Sequence, residues 1–144
     1  MARYLVTGGA GFIGSNLVRR LAESGERVRV VDNLSTGFWE NLGELRDKKE
    51  VECVTADIRD GRAMASACSG VEVVFHEAAL GSVPRSVENP VESDSVNVNG
   101  TVTVLDAAQR AGVRRVIFAA SSSAYGDTPT LPKHESMPIS PLSP

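Results

Sequence analysis

With 144 residues, 42% of them hydrophobic and 23% charged, the chain has the size and composition of one globular domain that buries roughly two-thirds of its unfolded surface. A formal net charge of −3 offers no cationic surplus, which removes nucleic acid from the expected partners. No apolar run approaches a membrane span, and the N-terminus leads straight into a strand, so a cytoplasmic domain without signal peptide or membrane anchor is expected.

The first element is a strand, Arg3-Tyr4-Leu5-Val6-Thr7, that stops abruptly at Gly8. Beyond the glycines, apolar residues recur at Ile13, Leu17, Val18 and Leu21, so the period changes from strand to helix across the turn. Gly9, Gly11 and Gly14 satisfy G-x-G-x-x-G, and Gly8, Gly11 and Gly14 the related G-x-x-G-x-x-G. In that context the glycines supply a tight turn, close approach of backbone to a pyrophosphate, and close packing of helix on strand. The helix start then offers unpaired N–H groups and the positive end of its dipole to the phosphates. Gly25 is expected to end the helix.

A second parallel strand follows over Arg27–Asp32, reached by a right-handed crossover. Asp32 stands 18 residues beyond Gly14, where the first βαβ unit brings a carboxylate to the adenosine ribose. A carboxylate there accepts from the ribose hydroxyls and repels a 2′-phosphate, which favours NAD over NADP. Asn33–Gly43 is rich in turn formers and only weakly helical in pattern. Val51–Thr55 reads as a third strand, with Asp57 and Ile58 beyond its end. Asp57 suits an adenine amino group and Ile58 the adenine ring, although a simple turn acid fits the spacing as well. Asp60 and Gly70 bracket a short helix as N-cap and stop.

Glu72–His76 forms a fourth predicted strand, and Ala78 and Ala79 beyond it are small enough for a cofactor to lie against them. His76 reads as a satisfied strand-end histidine rather than a base or ligand. Gly81–Ser86 is read as a loop, followed by a long helix from about Pro90 to Ala111 ended by Gly112. Its stripe of Val91, Val98, Val102, Leu105 and Ala108 is taken as the apolar face. Gly100, Thr103, Ala107 and Ala111 make a second face of small residues suited to close approach. Arg114–Ala120 is a fifth strand with Ser121-Ser122-Ser123 at its C-terminal end. From Gly126 to Pro144 the chain carries Pro129, Pro132, Pro138, Pro141 and Pro144 and no periodicity. Residues 1–125 are accordingly read as an NAD-binding Rossmann domain and 126–144 as a proline-rich tail. Cys53 and Cys68 lack metal or redox spacing and read as reduced thiols; no metal site is expected.

Five strands alternating with helical segments predict a doubly wound parallel sheet of order 3-2-1-4-5, with its ligand at the switch point between the first and fourth strands. Taken together these residues resemble the extended short-chain dehydrogenase/reductase family, within it the NAD-dependent epimerase/dehydratase branch, most closely its UDP-N-acetylglucosamine and UDP-glucose 4-epimerases. Thr7–Gly14 is similar to the opening signature, Asp32-Asn33 to the ribose clamp, Asp57-Ile58 to the adenine contact and His76–Ala79 to the H-x-A-A segment. Asn97–Thr101 is similar to the long-helix motif and Ser121–Asp127 to the S-S-x-x-Y-G segment.

The resemblance implies NAD held by Gly8, Gly11, Phe12, Ile13, Gly14, Asp32, Asn33, Ser35, Thr36, Gly37, Asp57, Ile58, Ala78, Ala79, Asn97, Ala119 and Ala120. It implies Ser121 as the catalytic serine, and Gly81, Ser82, Ser122 and Ser123 as contacts to a UDP-sugar epimerised by oxidation and re-reduction at C4. It also implies a Tyr-x-x-x-Lys pair, which this sequence lacks: Tyr4 is followed four residues on by Gly8, and Tyr125 by Pro129. The chain is therefore expected to stop short of the catalytic helix, to be inactive alone, and to self-associate as a homodimer or otherwise. A dehydratase or reductase fragment and a non-catalytic NAD(H)-sensing module are the alternatives. Dehydratases need Asp-Glu where this chain has Ser122-Ser123.

Overall fold

The computed structural model describes residues 2–144. β1 (Tyr4–Thr7), β2 (Val28–Asp32), β3 (Val51–Thr55), β4 (Val73–His76) and β5 (Arg115–Phe118) pair in parallel as one sheet in the order β3-β2-β1-β4-β5. This is the predicted topology. β1 lies at the centre with Val6 opposite Val30 on one side and Phe75 on the other. Because side chains alternate across the pleat, Leu5, Val31 and Val74 enter one core and Val6, Val28 and Val30 the other. The first core is closed by Ile58, Met64, Val96, Val104 and Ala107, the second by Val18, Leu42 and Leu45. Helices thus cover both faces, as a parallel sheet requires.

α1 (Phe12–Glu23) ends ahead of Gly25, whose φ of +78° supplies the left-handed residue. α2 (Gly61–Cys68) begins where the Asp60 side chain accepts from the N–H groups of Arg62 and Ala63, and Gly70 follows it at φ +72°. Both boundaries follow the sequence signals. The stretch after β2 forms a 3₁₀ segment, Trp39–Asp47, interrupted at Gly43 with φ +54°. A further short helix, α3 (Val83–Glu88), replaces most of the predicted loop; Ser82 caps it by accepting from the Arg85 N–H, and Pro84 sits in its first turn.

The long predicted helix is present but composite. α4 (Pro90–Asp94) passes into a π-helical segment, Ser95–Gly100, and then α5 (Thr101–Arg110). Its expected core stripe is largely wrong. Val91, Val98, Val102 and Leu105 are 46–79% exposed, whereas Ser93, Val96, Gly100, Val104, Ala107 and Ala108 are buried. At about 100° per residue the two sets fall on opposite sides of the helix. The helix has two apolar faces, and the one with smaller side chains faces inward because the neighbours come close: a Cβ on Gly100 would meet Ile58 Cδ1 at 2.5 Å. Beyond Tyr125 no strand or helix forms among the described residues.

α2 lacks a basic residue in its last turn. Arg29, on β2, supplies the missing charge from outside: its Nη1 donates to the carbonyls of Ala67 at 2.6 Å and Ser69 at 3.2 Å, while Nε pairs with Glu52 of β3 at 2.9 Å. The side chain is only 15% exposed. Arg29→Ala should lower unfolding free energy by about 1.5–3 kcal/mol in urea denaturation, as expected for charged hydrogen bonds lost from a sheltered site. A loss below about 0.5 kcal/mol would show that water caps these carbonyls equally well.

Candidate functional site

A cleft of about 300 Å³ opens at the C-terminal edge of β1, β2 and β4, the switch point of the sheet. Its floor is the turn between β1 and α1. Gly8 adopts φ +67°, and a Cβ there would lie 2.7 Å from the Ala78 nitrogen, so the turn and the chain leaving β4 touch backbone to backbone. A Cβ on Gly14 would collide with the Gly8 carbonyl. Gly11 differs from both. It has an ordinary extended conformation, φ −78° and ψ 177°, and a Cβ there would meet only the Gly8 carbonyl, at 3.2 Å. Packing resists a side chain at 11 less than at 8 or 14, needing only a small shift of the Gly8 carbonyl, and such a side chain would stand at the cleft that Gly11 lines.

Gly11, Phe12, Ile13 and Gly14 line this cleft together at the N-terminus of α1, where no side chain caps the helix. The first N–H groups of a helix have no intrahelical acceptor, so this end is suited to a pyrophosphate. Asp32 is buried at the adjoining corner and holds the turn in place: Oδ2 accepts from the Ala10 N–H at 2.9 Å and Oδ1 from the Leu34 N–H at 2.8 Å. Each carboxylate oxygen retains a second lone-pair direction for a ribose hydroxyl. Asn33, Ser35, Thr36 and Gly37 extend the lining from there, joined by Ile58 beyond β3 and by Ala78 and Ala79 beyond β4.

Several expected residues stand elsewhere. Asp57 does not line the cleft; its carboxylate is engaged by the Arg59 guanidinium at 2.7 Å and by Asn33 Nδ2 at 3.0 Å. Those hydrogen bonds, chiefly Arg59's, hold its acid well below the usual carboxylate range. Asn97 acts behind the wall: Oδ1 accepts from the Leu80 N–H at 2.8 Å and Nδ2 donates to the Leu80 carbonyl at 3.2 Å. Gly81 and Ser82 also lie outside the lining, Ser82 capping α3. Ala119 and Ala120 are exposed beyond β5 and do not reach the cleft, with the Ala119 N–H donating to the His76 carbonyl. Ser121, Ser122 and Ser123 are exposed, and Ser121 Oγ accepts from the Ser123 N–H to start a 3₁₀ turn over Ser122–Tyr125.

The structure adds Val31, Ala56, Glu77, Leu80 and Val96 to the lining. Of these Glu77 is the only acid, and burial pushes its carboxyl above the usual range. The sequence signal for it was its position between His76 and Ala78. Among the described residues no group of His, Cys, Asp and Glu is arranged to hold a metal, and no helix is long and apolar enough to cross a membrane.

Residues 4–144 match the NAD dependent epimerase/dehydratase family. The chain belongs to that family. It is 46% identical to the UDP-glucose 4-epimerase of Mycolicibacterium smegmatis, across 99% of this chain and 46% of that protein. Among solved structures it is similar to the UDP-N-acetylglucosamine 4-epimerase of Methanobrevibacter ruminantium in complex with UDP-N-acetylmuramic acid (TM-score 0.91, 34% identity, 99% of this chain and 45% of that one). It is also similar to dTDP-glucose 4,6-dehydratase of Streptomyces venezuelae with NAD bound (TM-score 0.93, 37% identity, 98% and 46%). The chain spans a little under half the length of these epimerase/dehydratase relatives.

NAD is the family's cofactor, and the cleft fits it: an uncapped helix start, a wall at Gly11 without a side chain, and a buried acid, Asp32, at the adjoining corner. The glycines can be separated by experiment. Gly8→Ala should destabilise the fold by about 1–3 kcal/mol or more, because it combines a left-handed backbone with a clash against Ala78. Gly11→Ala should stay within about 1 kcal/mol of the wild type in denaturant titrations yet weaken NAD binding at least about tenfold. Equal stability losses at the two positions would contradict the assignment.

Proposed function

We propose that this chain forms the NAD-binding portion of a nucleotide-sugar 4-epimerase acting on a UDP-hexose or UDP-N-acetylhexosamine. The observation that carries the reading is the cleft itself, in which the α1 start, Gly11 and Asp32 surround one edge. NAD, when bound, supplies a hydride acceptor and donor for C4 of the sugar. The N–H groups at the start of α1 would hold its pyrophosphate, Asp32 its adenosine ribose, and Ile58 its adenine face. Asp57 has its carboxylate committed to Arg59 and Asn33, so its part is to set the position of Asn33 on the cleft wall.

Ser121 would hold the C4 oxygen, with Ser122 and Ser123 as further sugar contacts; their exposure at the end of β5 is compatible with that task. The similarity to a dehydratase supports a second reading, against which Ser122-Ser123 stands where dehydratases need Asp-Glu. No tyrosine among these 144 residues has a lysine four positions on, and general acid–base catalysis contributes roughly 10²–10⁴ in rate, so we expect no turnover from this chain alone.

We also infer that the chain self-associates. Val91, Val98, Val102 and Leu105 are exposed on the outward side of the long helix, and β5 leaves an unpaired parallel edge with Ile117 and Phe118 exposed at 40% and 57%.

Calorimetric titration should show NAD binding more tightly than NADP by at least about tenfold, since the buried Asp32 carboxylate repels a 2′-phosphate. Asp32→Ala should narrow that difference. Equal or tighter NADP binding would refute the ribose assignment, and measurable epimerisation by the pure chain would refute its silence. Light scattering should give a mass above that of one chain, falling toward 15.3 kDa when Val98 and Leu105 are both replaced by Lys. A monomer at high concentration would remove the association claim.

A further inference from the structure

His76, at the end of β4, is 1% exposed, yet both its ring nitrogens are hydrogen-bonded and neither meets a charged group. Nδ1 lies 2.6 Å from Thr7 Oγ1, on β1, and Nε2 lies 2.9 Å from Thr101 Oγ1, at the start of α5. The third neighbour is the Phe118 ring of β5, centred 5.7 Å away. No carboxylate is hydrogen-bonded to the ring to offset the loss of water around a charge. Burial accordingly pushes the imidazole pKa down to about 4, and the ring is neutral.

The proton positions follow from the neighbours. Thr101 Oγ1 lies 2.6 Å from the Asn97 carbonyl, which has no hydrogen to give, so the hydroxyl proton points at that carbonyl. Thr101 Oγ1 can then only accept from His76, and Nε2 carries the ring's single proton. Nδ1 is left bare and accepts from the Thr7 hydroxyl, whose oxygen receives the Ala78 N–H at 3.4 Å. One directed chain results: Ala78 N–H to Thr7, Thr7 to His76, His76 to Thr101, Thr101 to the Asn97 carbonyl.

Both ends of this chain reach the cleft wall. Ala78 lines the cleft directly, and Asn97 grips the Leu80 peptide with both atoms of its amide. Asn97 lies inside the π-helical segment, Ser95–Gly100, and Thr101 directly after it, with the Thr101 hydroxyl bonding back to the Asn97 carbonyl. π segments inside helices recur at functional sites.

We propose that His76, held as its neutral Nε2–H tautomer, is a positioning residue that sets the Ala78–Leu80 wall of the NAD cleft through Thr7 on one side and through Thr101 and Asn97 on the other. It touches no cofactor or substrate itself. The consequence for affinity rests on the NAD reading of the cleft; the tautomer and the wall contacts do not.

Nitrogen-15 NMR of the ligand-free protein tests the tautomer. His76 should show an unprotonated Nδ1 and a protonated Nε2, unchanged from about pH 7 to 5.5. A proton on Nδ1, or titration within that range, would overturn the proposal. Thr101→Val removes the relay hydroxyl at nearly constant volume, and Thr101→Ser retains it. In the valine variant, compared where all forms are fully folded, the Leu80 amide should exchange with deuterium at least about fivefold faster, and NAD should bind about three- to tenfold more weakly. The serine variant should restore both within about twofold. Unchanged Leu80 exchange and unchanged NAD affinity in folded Thr101→Val would overturn the proposal, as would a serine variant resembling the valine one. If the wild type bound no NAD, the cofactor reading would fall while the tautomer and Leu80 exchange still decided the positioning role.

Discussion

The cleft depends on one contact between two stretches of main chain. The turn leaving β1 and the segment leaving β4 approach so closely that no Cβ fits at Gly8, and this contact holds the α1 start and the Ala78–Leu80 wall as two sides of one opening. Parallel strands β1 and β4 alone would not produce it, because their helices leave on opposite faces of the sheet. Asp32 fixes the remaining degree of freedom by tying the Ala10 amide to the end of β2. A carboxylate that organises the empty turn through two amides and keeps lone pairs for a ligand is well placed beforehand, so less ordering cost falls on binding.

Much of this was legible in the sequence because each signal acts locally. The change of period across Gly8, the Asp60 cap and the glycines at 25, 70 and 112 are properties of a few adjacent residues, and all describe the folded chain. The strand order followed from the alternation of elements. The inward face of the long helix did not follow, since its two apolar faces have the same period and only the distance to Ile58 distinguishes them. The short helix α3 carried a readable cap at Ser82 and a proline at position 84, outweighed by the turn-forming composition around them.

The site residues divide in the same way. Those on the glycine turn, at the end of β2 and just beyond β4 converge on the cleft, because a doubly wound sheet sends all its strand ends to one edge. Asp57 shares that edge but is held by Arg59, two residues away, a pairing that spacing to the glycines does not reveal. Asn97 contributes by holding the Leu80 peptide rather than by lining the opening. Ala119 to Ser123 follow the end of the edge strand β5 and lie outside the cleft, exposed. The three relatives compared above are a little over twice this length, and likeness to both an epimerase and a dehydratase fits a shared cofactor-binding framework on which different chemistries are built.

Arg29 gives the sheet an asymmetry of a different kind. By bonding the last carbonyls of α2 while paired to Glu52, it fastens β2, β3 and α2 through one guanidinium. Among the described residues no comparable side-chain tie reaches β5, which pairs with β4 alone. Local opening should therefore not run evenly inward from the two edges. The β3 side, tied to α2 through Arg29, is expected to open as a unit, whereas β5 is expected to open more readily on its own. The cleft floor, at β1, lies on the tied side of that division, so fluctuations that free β5 and the serines following it would leave the glycine turn in place.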